Sequence, residues 1–164
     1  MSPEFHRPLR LDRIGPDGME YDGTASEEEC RALAERLRIP AVRTLTCQFK
    51  LRRLSDGIVA ASGQLRARVT RICVVTLDEF DVDVAEDFTV HFVPAGSESS
   101  EIDPESEDEI PYVGEVIDLG EAAAEQLALG LDPYPRRPGA ALQAGAADQA
   151  HHPFAGLDGL RRRH

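Results

Sequence analysis

The chain has 164 residues, a length suited to one domain, with 41% hydrophobic residues, 5% aromatics and no Trp. Its apolar runs are far too short to cross a bilayer, and the opening "MSPEFHRPLRLDRIG" lacks the apolar segment of a secretory signal. With three cysteines read as reduced thiols, a cytoplasmic protein without a membrane partner is expected. The net charge of −12 is polarised: the interval 72–135 contains no Lys or Arg and 18 Asp and Glu, whereas the remainder carries 18 basic against 12 acidic residues.

In chain order, "RPLRLDRIG" (7–15) alternates Leu9 and Leu11 with Arg10 and Asp12 and predicts a short edge strand. "PDGMEYDGTA" supplies two Asp-Gly turn signals. Ser26 and Glu29 form a capping box, and Cys30, Leu33, Ala34 and Leu37 follow as one apolar helical face that Pro40 ends. Leu45, Cys47, Phe49 and Leu51, and then Val59, Ala61, Leu65, Ala67 and Val69, alternate with polar residues as two strands. Because opposed residues in an antiparallel pair share a face, odd positions must meet odd positions. A three-residue loop Asp56-Gly57-Ile58, pairing Ser55 with Val59, satisfies that rule. The opposite face then presents Lys50, Arg52, Arg66 and Arg68 together.

Cys73 is read as the start of a further strand, in which Val82, Val84, Phe88, Val90 and Phe92 alternate with Asp81, Asp83, Asp87, Thr89 and His91. A phase change near Ala85–Glu86 leaves a bulge or a tight turn open. Residues 95–109, with seven acids among Gly, Ser and Pro, read as a disordered or mobile loop. Tyr112, Val113, Val116 and Ile117 suit a short strand. Asp118 and Glu121 form a second capping box, opening a helix through Ala122, Glu125, Gln126, Leu127 and Leu131 that "DPYPRRPG" breaks. The expected fold is α+β: a curved antiparallel sheet, meander or partly open barrel, with two packed helices in one domain (1–138). A flexible tail (139–164) ends in "HPFAGLDGLRRR", whose Phe154, Leu157 and Leu160 form a short apolar edge suited to docking on a partner or on the sheet itself.

Catalytic signals are thin. There is no Gly-rich phosphate loop, G-x-S-x-G or H-E-x-x-H, and the five histidines are scattered. No catalytic residue, metal site or cofactor is assigned. The alternative is a zinc- or metal-dependent binding protein or hydrolase using Cys73, a histidine or paired aspartates such as Asp81 and Asp83.

Taken in order, "RPLRL", the capped helix, the long hairpin, "CVVTLDEFDVDVAEDFTVHFVP", the acidic insert, "IPYVGEVIDLGEAAAEQLALGLDPYP" and "HPFAGLDGLRRR" resemble the YceD family. These are bacterial and chloroplast proteins tied to accumulation of large-subunit (23S) ribosomal RNA. Many members resemble C-x-x-C-L/G-x-x-F at Cys73. Here Thr76 stands at the second cysteine, and a thiol with a hydroxyl makes a poor zinc grip or redox pair. The resemblance implies a non-enzymatic ribosome biogenesis factor, expected to be monomeric and without a DNA partner. Two modes fit it. A basic large-subunit ribosomal protein can sit on an acidic face that includes Asp78, Glu79, Asp81 and Asp83. Alternatively, ribosomal RNA can lie along Lys50, Arg52, Arg66 and Arg68, with Arg136, Arg137 and residues 161–163 as further phosphate contacts.

Overall fold

The computed structural model describes residues 4–98 and 107–140. The elements run β1 (Pro8–Arg10), β2 (Met19–Thr24), α1 (Glu27–Leu37), β3 (Ala41–Arg53), β4 (Val59–Ile72), β5 (Glu79–Pro94), β6 (Asp108–Tyr112), β7 (Val116–Asp118) and α2 (Leu119–Gly130). Five strands form one sheet in the order β2-β3-β4-β5-β6, antiparallel except for the parallel β5–β6 pair, and β1 pairs with β7 in a separate two-stranded sheet. The class is α+β, and the main sheet does not close into a barrel.

Alternation decides which face is buried. Leu45, Cys47, Phe49 and Leu51 of β3, the odd residues Val59 to Val69 of β4, and Val84, Val90 and Phe92 of β5 point to one core. Cys30, Leu33 and Ala34 of α1 and Ala122, Ala123, Ala124 and Leu127 of α2 belong to the same cluster. The capping box at Ser26 and Glu29 is present, and Arg38 closes α1 in the left-handed conformation two residues before Pro40.

Several sequence expectations change. Strand β1 covers only three residues before a 3-10 turn at Leu11–Arg13, and it pairs with β7 rather than with the main sheet. Asp17-Gly18 makes a turn, but Asp22-Gly23 lies inside β2; a side chain at Gly23 would press on the Tyr21 ring and on Cys47 Sγ at 3.1–3.2 Å. The β3–β4 pairing keeps odd opposite odd but joins Arg53 to Val59, so the loop is 54–58, five residues, with Asp56 and Gly57 both left-handed. Tyr112 donates its hydroxyl to the Gly57 carbonyl and braces this longer loop.

Strand β5 is continuous: fourteen pairs with β4 run without a shift, and Glu86 occupies the apolar-face row beside Gly130 of α2. The bulge lies instead in β3, between Val42 and Thr44. Cys73 follows β4 in a loop, not a strand. Of the expected acidic loop, Asp108 and Glu109 belong to β6, and 99–106 lie outside the described residues. Tyr112 and Val116 fall on two strands separated by a turn at 113–115. Asp118 caps α2 by accepting from the Gly120 and Glu121 N–H groups, while the Glu121 carboxylate binds Arg36 of α1 instead of completing a box. Most of the tail (141–164), including Phe154, Leu157 and Leu160, lies outside the described residues.

Candidate interaction surface

The polar face of β3, β4 and β5 follows from the same period of two. Arg68 stands directly opposite Asp83 and donates to it at 3.0 Å, and its Nε is 3.8 Å from Asp81. Arg66, opposite Ala85, reaches diagonally to Asp87 at 3.3 Å. Arg43, the extra residue of the β3 bulge, donates to Thr70 Oγ1 at 3.2 Å and lies 3.8 Å from Asp81. Thr70, the buried polar residue of β4, donates to Asp81 at 2.5 Å. Arginines of β3 and β4 thus offset part of the charge of β5 where the strands meet. These pairs are half-exposed or more on the arginine side, so each contributes only about 0–1 kcal/mol.

The four expected basic residues do share this face, but as two groups. Lys50 faces Ser62 and Arg52 faces Ala60, four positions or more from Arg66 along β4, or about 13 Å. Both are exposed and have no ion-pair partner among the described residues. Lys50 borders an open depression of about 610 Å³ shared with Gln48, Ser62, Gln64, Asp87 and Thr89. Beneath it, Gly63 leaves room for the Phe88 ring, which meets Phe49 edge-on at 5.7 Å.

The acidic candidates lie at the beginning of β5 and just before it. Asp81 and Asp83 carry the arginine pairs above, Asp78 is 3.6 Å from Arg137, and Glu79 is exposed without an ion pair among the described residues. A second depression, about 260 Å³, runs along the core side of β5 beneath the end of α2, lined by Phe80, Val82, Val84, Glu86, Leu131 and Pro135.

Cys73 is fully buried in the loop between β4 and β5. The Thr76 side chain, the Arg137 N–H at 3.4 Å and the Thr76 N–H at 3.5 Å all stabilise a negative Sγ and draw the thiol down to about 6. Burial drives Cys47 the other way, to about 11, and also raises Cys30. Thr76 therefore serves Cys73 as a donor, and among the described residues no group of three His, Cys, Asp or Glu is placed to hold a metal. The same loop and the end of β4 fasten the segment after α2: Val74 N–H donates to the Pro135 carbonyl at 3.0 Å, and Arg71 of β4 donates to the Asp132 carbonyl at 2.8 Å. Sequence reasoning missed Arg43 and Thr70 as partners of this surface, and it read Arg137 as a phosphate contact, whereas its side chain lies 3.6 Å from Asp78 and its N–H donates to Cys73. The broken alternation "VRTL" marks Arg43; nothing local marks Arg137.

A family model described as "Large ribosomal RNA subunit accumulation protein YceD" matches residues 61–161. The chain belongs to the YceD family. The match takes in most of β4, all of β5 to α2, the Cys73 loop and the whole basic-free interval, and it leaves Lys50 and Arg52 outside. The family description ties the chain to accumulation of large-subunit ribosomal RNA. No curated protein and no solved structure matches it. No helix among the described residues is long and apolar enough to cross a membrane.

Proposed function

We propose that this YceD-family protein supports accumulation of large-subunit ribosomal RNA without catalysis, by holding a basic large-subunit ribosomal protein on the acidic side of its sheet. The observation that carries this reading is the segregation of charge. The chain between 72 and 135, which builds β5, β6, β7 and α2, contains no Lys or Arg. The arginines that reach Asp81, Asp83 and Asp87 come from β3 and β4 and offset only part of that charge. Basic ribosomal extensions would be drawn by the residual field, in fast and salt-sensitive association. Ribosomal RNA would then compete for the same extensions.

A second reading has its own observation. Lys50 and Arg52 are exposed, without ion pairs among the described residues, beside a polar depression that suits phosphate contacts. Arg66 and Arg68 are already matched with carboxylates, so Lys50→Glu with Arg52→Glu is the cleaner probe of RNA contact.

The test is affinity capture of the full chain from its native host, split into nuclease-treated and untreated halves. A basic large-subunit protein that survives nuclease supports the acidic-side reading. Large-subunit RNA that is lost with nuclease and with the Lys50/Arg52 reversal moves the function to the hairpin. Neither above background overturns both.

A further inference from the structure

Strand β5 is sixteen residues long and pairs with β4 over its first fourteen, yet on its other side β6 covers only Val90–Pro94. Along 79–89 no backbone group of another element among the described residues is bonded to that side. Among the described residues this leaves eleven residues of β5 edge, about 36 Å, without a neighbouring strand, and unpaired N–H and C=O groups template the addition of another strand. Charges at 81, 83 and 87 guard it against apolar strands.

We propose that this edge is a docking site for an extended basic segment of a partner protein, which adds as a further strand beside β5. The proposal rests on the acidic-side reading above and names how the partner is held. Side chains of an added strand alternate between two environments. On the polar face they meet Asp81, Asp83 and Asp87, whose own arginines approach from the β4 side. A carboxylate has about four lone-pair positions, so each can accept a second cation from the open side. Asp83 and Asp87 remain 77% and 71% exposed despite their present partners. On the core face the alternate side chains meet the depression where Val82, Val84, Leu131 and Pro135 give room for small apolar groups between the charged Arg71, Glu86, Asp132 and Arg136. The edge therefore selects a segment in which Lys or Arg alternates with Val, Ile or Ala.

The experiment uses the full-length chain, freed of nucleic acid, with two probes. One is a synthetic eight-residue peptide alternating arginine and valine, together with the same peptide N-methylated at every second amide. The other is the protein fraction extracted from large ribosomal subunits. The expected result is that the peptide binds, displaces the bound ribosomal protein, and loses about tenfold or more in affinity when N-methylated, because methylation removes ladder donors and leaves every charge in place. A peptide that binds equally well when N-methylated, or that fails to displace a ribosomal protein that does bind, overturns edge docking and leaves the acidic-side reading standing. If no extracted protein binds, that reading falls and takes this proposal with it. Concentration-dependent dimers that the peptide dissolves would assign the edge to a second copy of the chain and also overturn the proposal.

Discussion

Glu29 accepts both terminal guanidinium nitrogens of Arg7, at 2.7 and 2.9 Å, and the backbone N–H of Ser26 at 2.7 Å. The Arg7 bonds above all hold its carboxyl at about 2. A depressed carboxyl stabilises the fold above its unfolded value of about 4.3, and that stabilisation is lost as pH falls through the folded value. Urea midpoints should therefore fall between about pH 5 and pH 2. Glu29→Gln should lower stability at neutral pH by about 1–3 kcal/mol and flatten that decline. Cys73 has the same sign at a higher pH: its contribution is present above the ordinary thiol value of about 8.5 and disappears as pH falls through about 6. Thiolate absorbance should show one group titrating near pH 6, moving up by at least about one unit in Thr76→Val. Absorbance that stays flat until pH 8 would contradict it. Gly63→Ala would place a methyl 2.3 Å from the Phe88 ring and disturb its contact with Phe49. The expected loss is about 1–3 kcal/mol by chemical denaturation, partly restored by Phe88→Leu.

Among the elements, the β4–β5 ladder makes reversal at different arginines unequal. Arg66→Glu with Arg68→Glu sets new carboxylates beside Asp87 and opposite Asp83 and should cost about 1–2 kcal/mol. The Lys50/Arg52 reversal should stay within about 0.5 kcal/mol of the parent in the same denaturation assay. What the sequence disclosed about elements follows from how local each signal is. The Ser26 capping box and the faces of β3 and β4 depend on neighbours three or two residues away, and they were legible. The loop at 54–58 was not, since one of its bonds comes from Tyr112, more than fifty residues on. Asp22-Gly23 carries turn chemistry, yet it pairs with Gln48 and Cys47 of β3, and the glycine leaves room for Tyr21 and Cys47. Glu121 has the right spacing for a box, but Arg36 from another helix offers it two hydrogen bonds at 2.7 and 3.0 Å.

For the whole molecule, charge polarity was legible in the linear sequence, and its partial cancellation was not. The candidate basic and acidic residues occupy separate stretches of chain, and only strand order brings β4 and β5 side by side. A chain at −12 repels itself, and screening relieves that more than it weakens half-exposed ion pairs. Thermal midpoints of the isolated protein should therefore be higher in 0.5 M than in 0.01 M sodium chloride, whereas binding of a basic partner should weaken over the same range. Both trends can be followed on one preparation, by calorimetry and by anisotropy.

The clasp between β1 and β7 has a consequence in time. Arg7 and Asp118 are 111 residues apart; the Arg7 N–H donates to the Asp118 carboxylate at 2.9 Å, the Leu119 N–H donates to the Arg7 carbonyl at 3.0 Å, and strand pairs run from Pro8 to Arg10. The β3-β4-β5 meander needs only short loops to form, so its contacts accumulate first, and the clasp closes on a sheet already assembled. Leu9→Ala should accordingly speed unfolding and leave refolding almost unchanged, while Val69→Ala should slow refolding. The clasp would then act as a late latch, setting how long the folded molecule lasts rather than how quickly it forms.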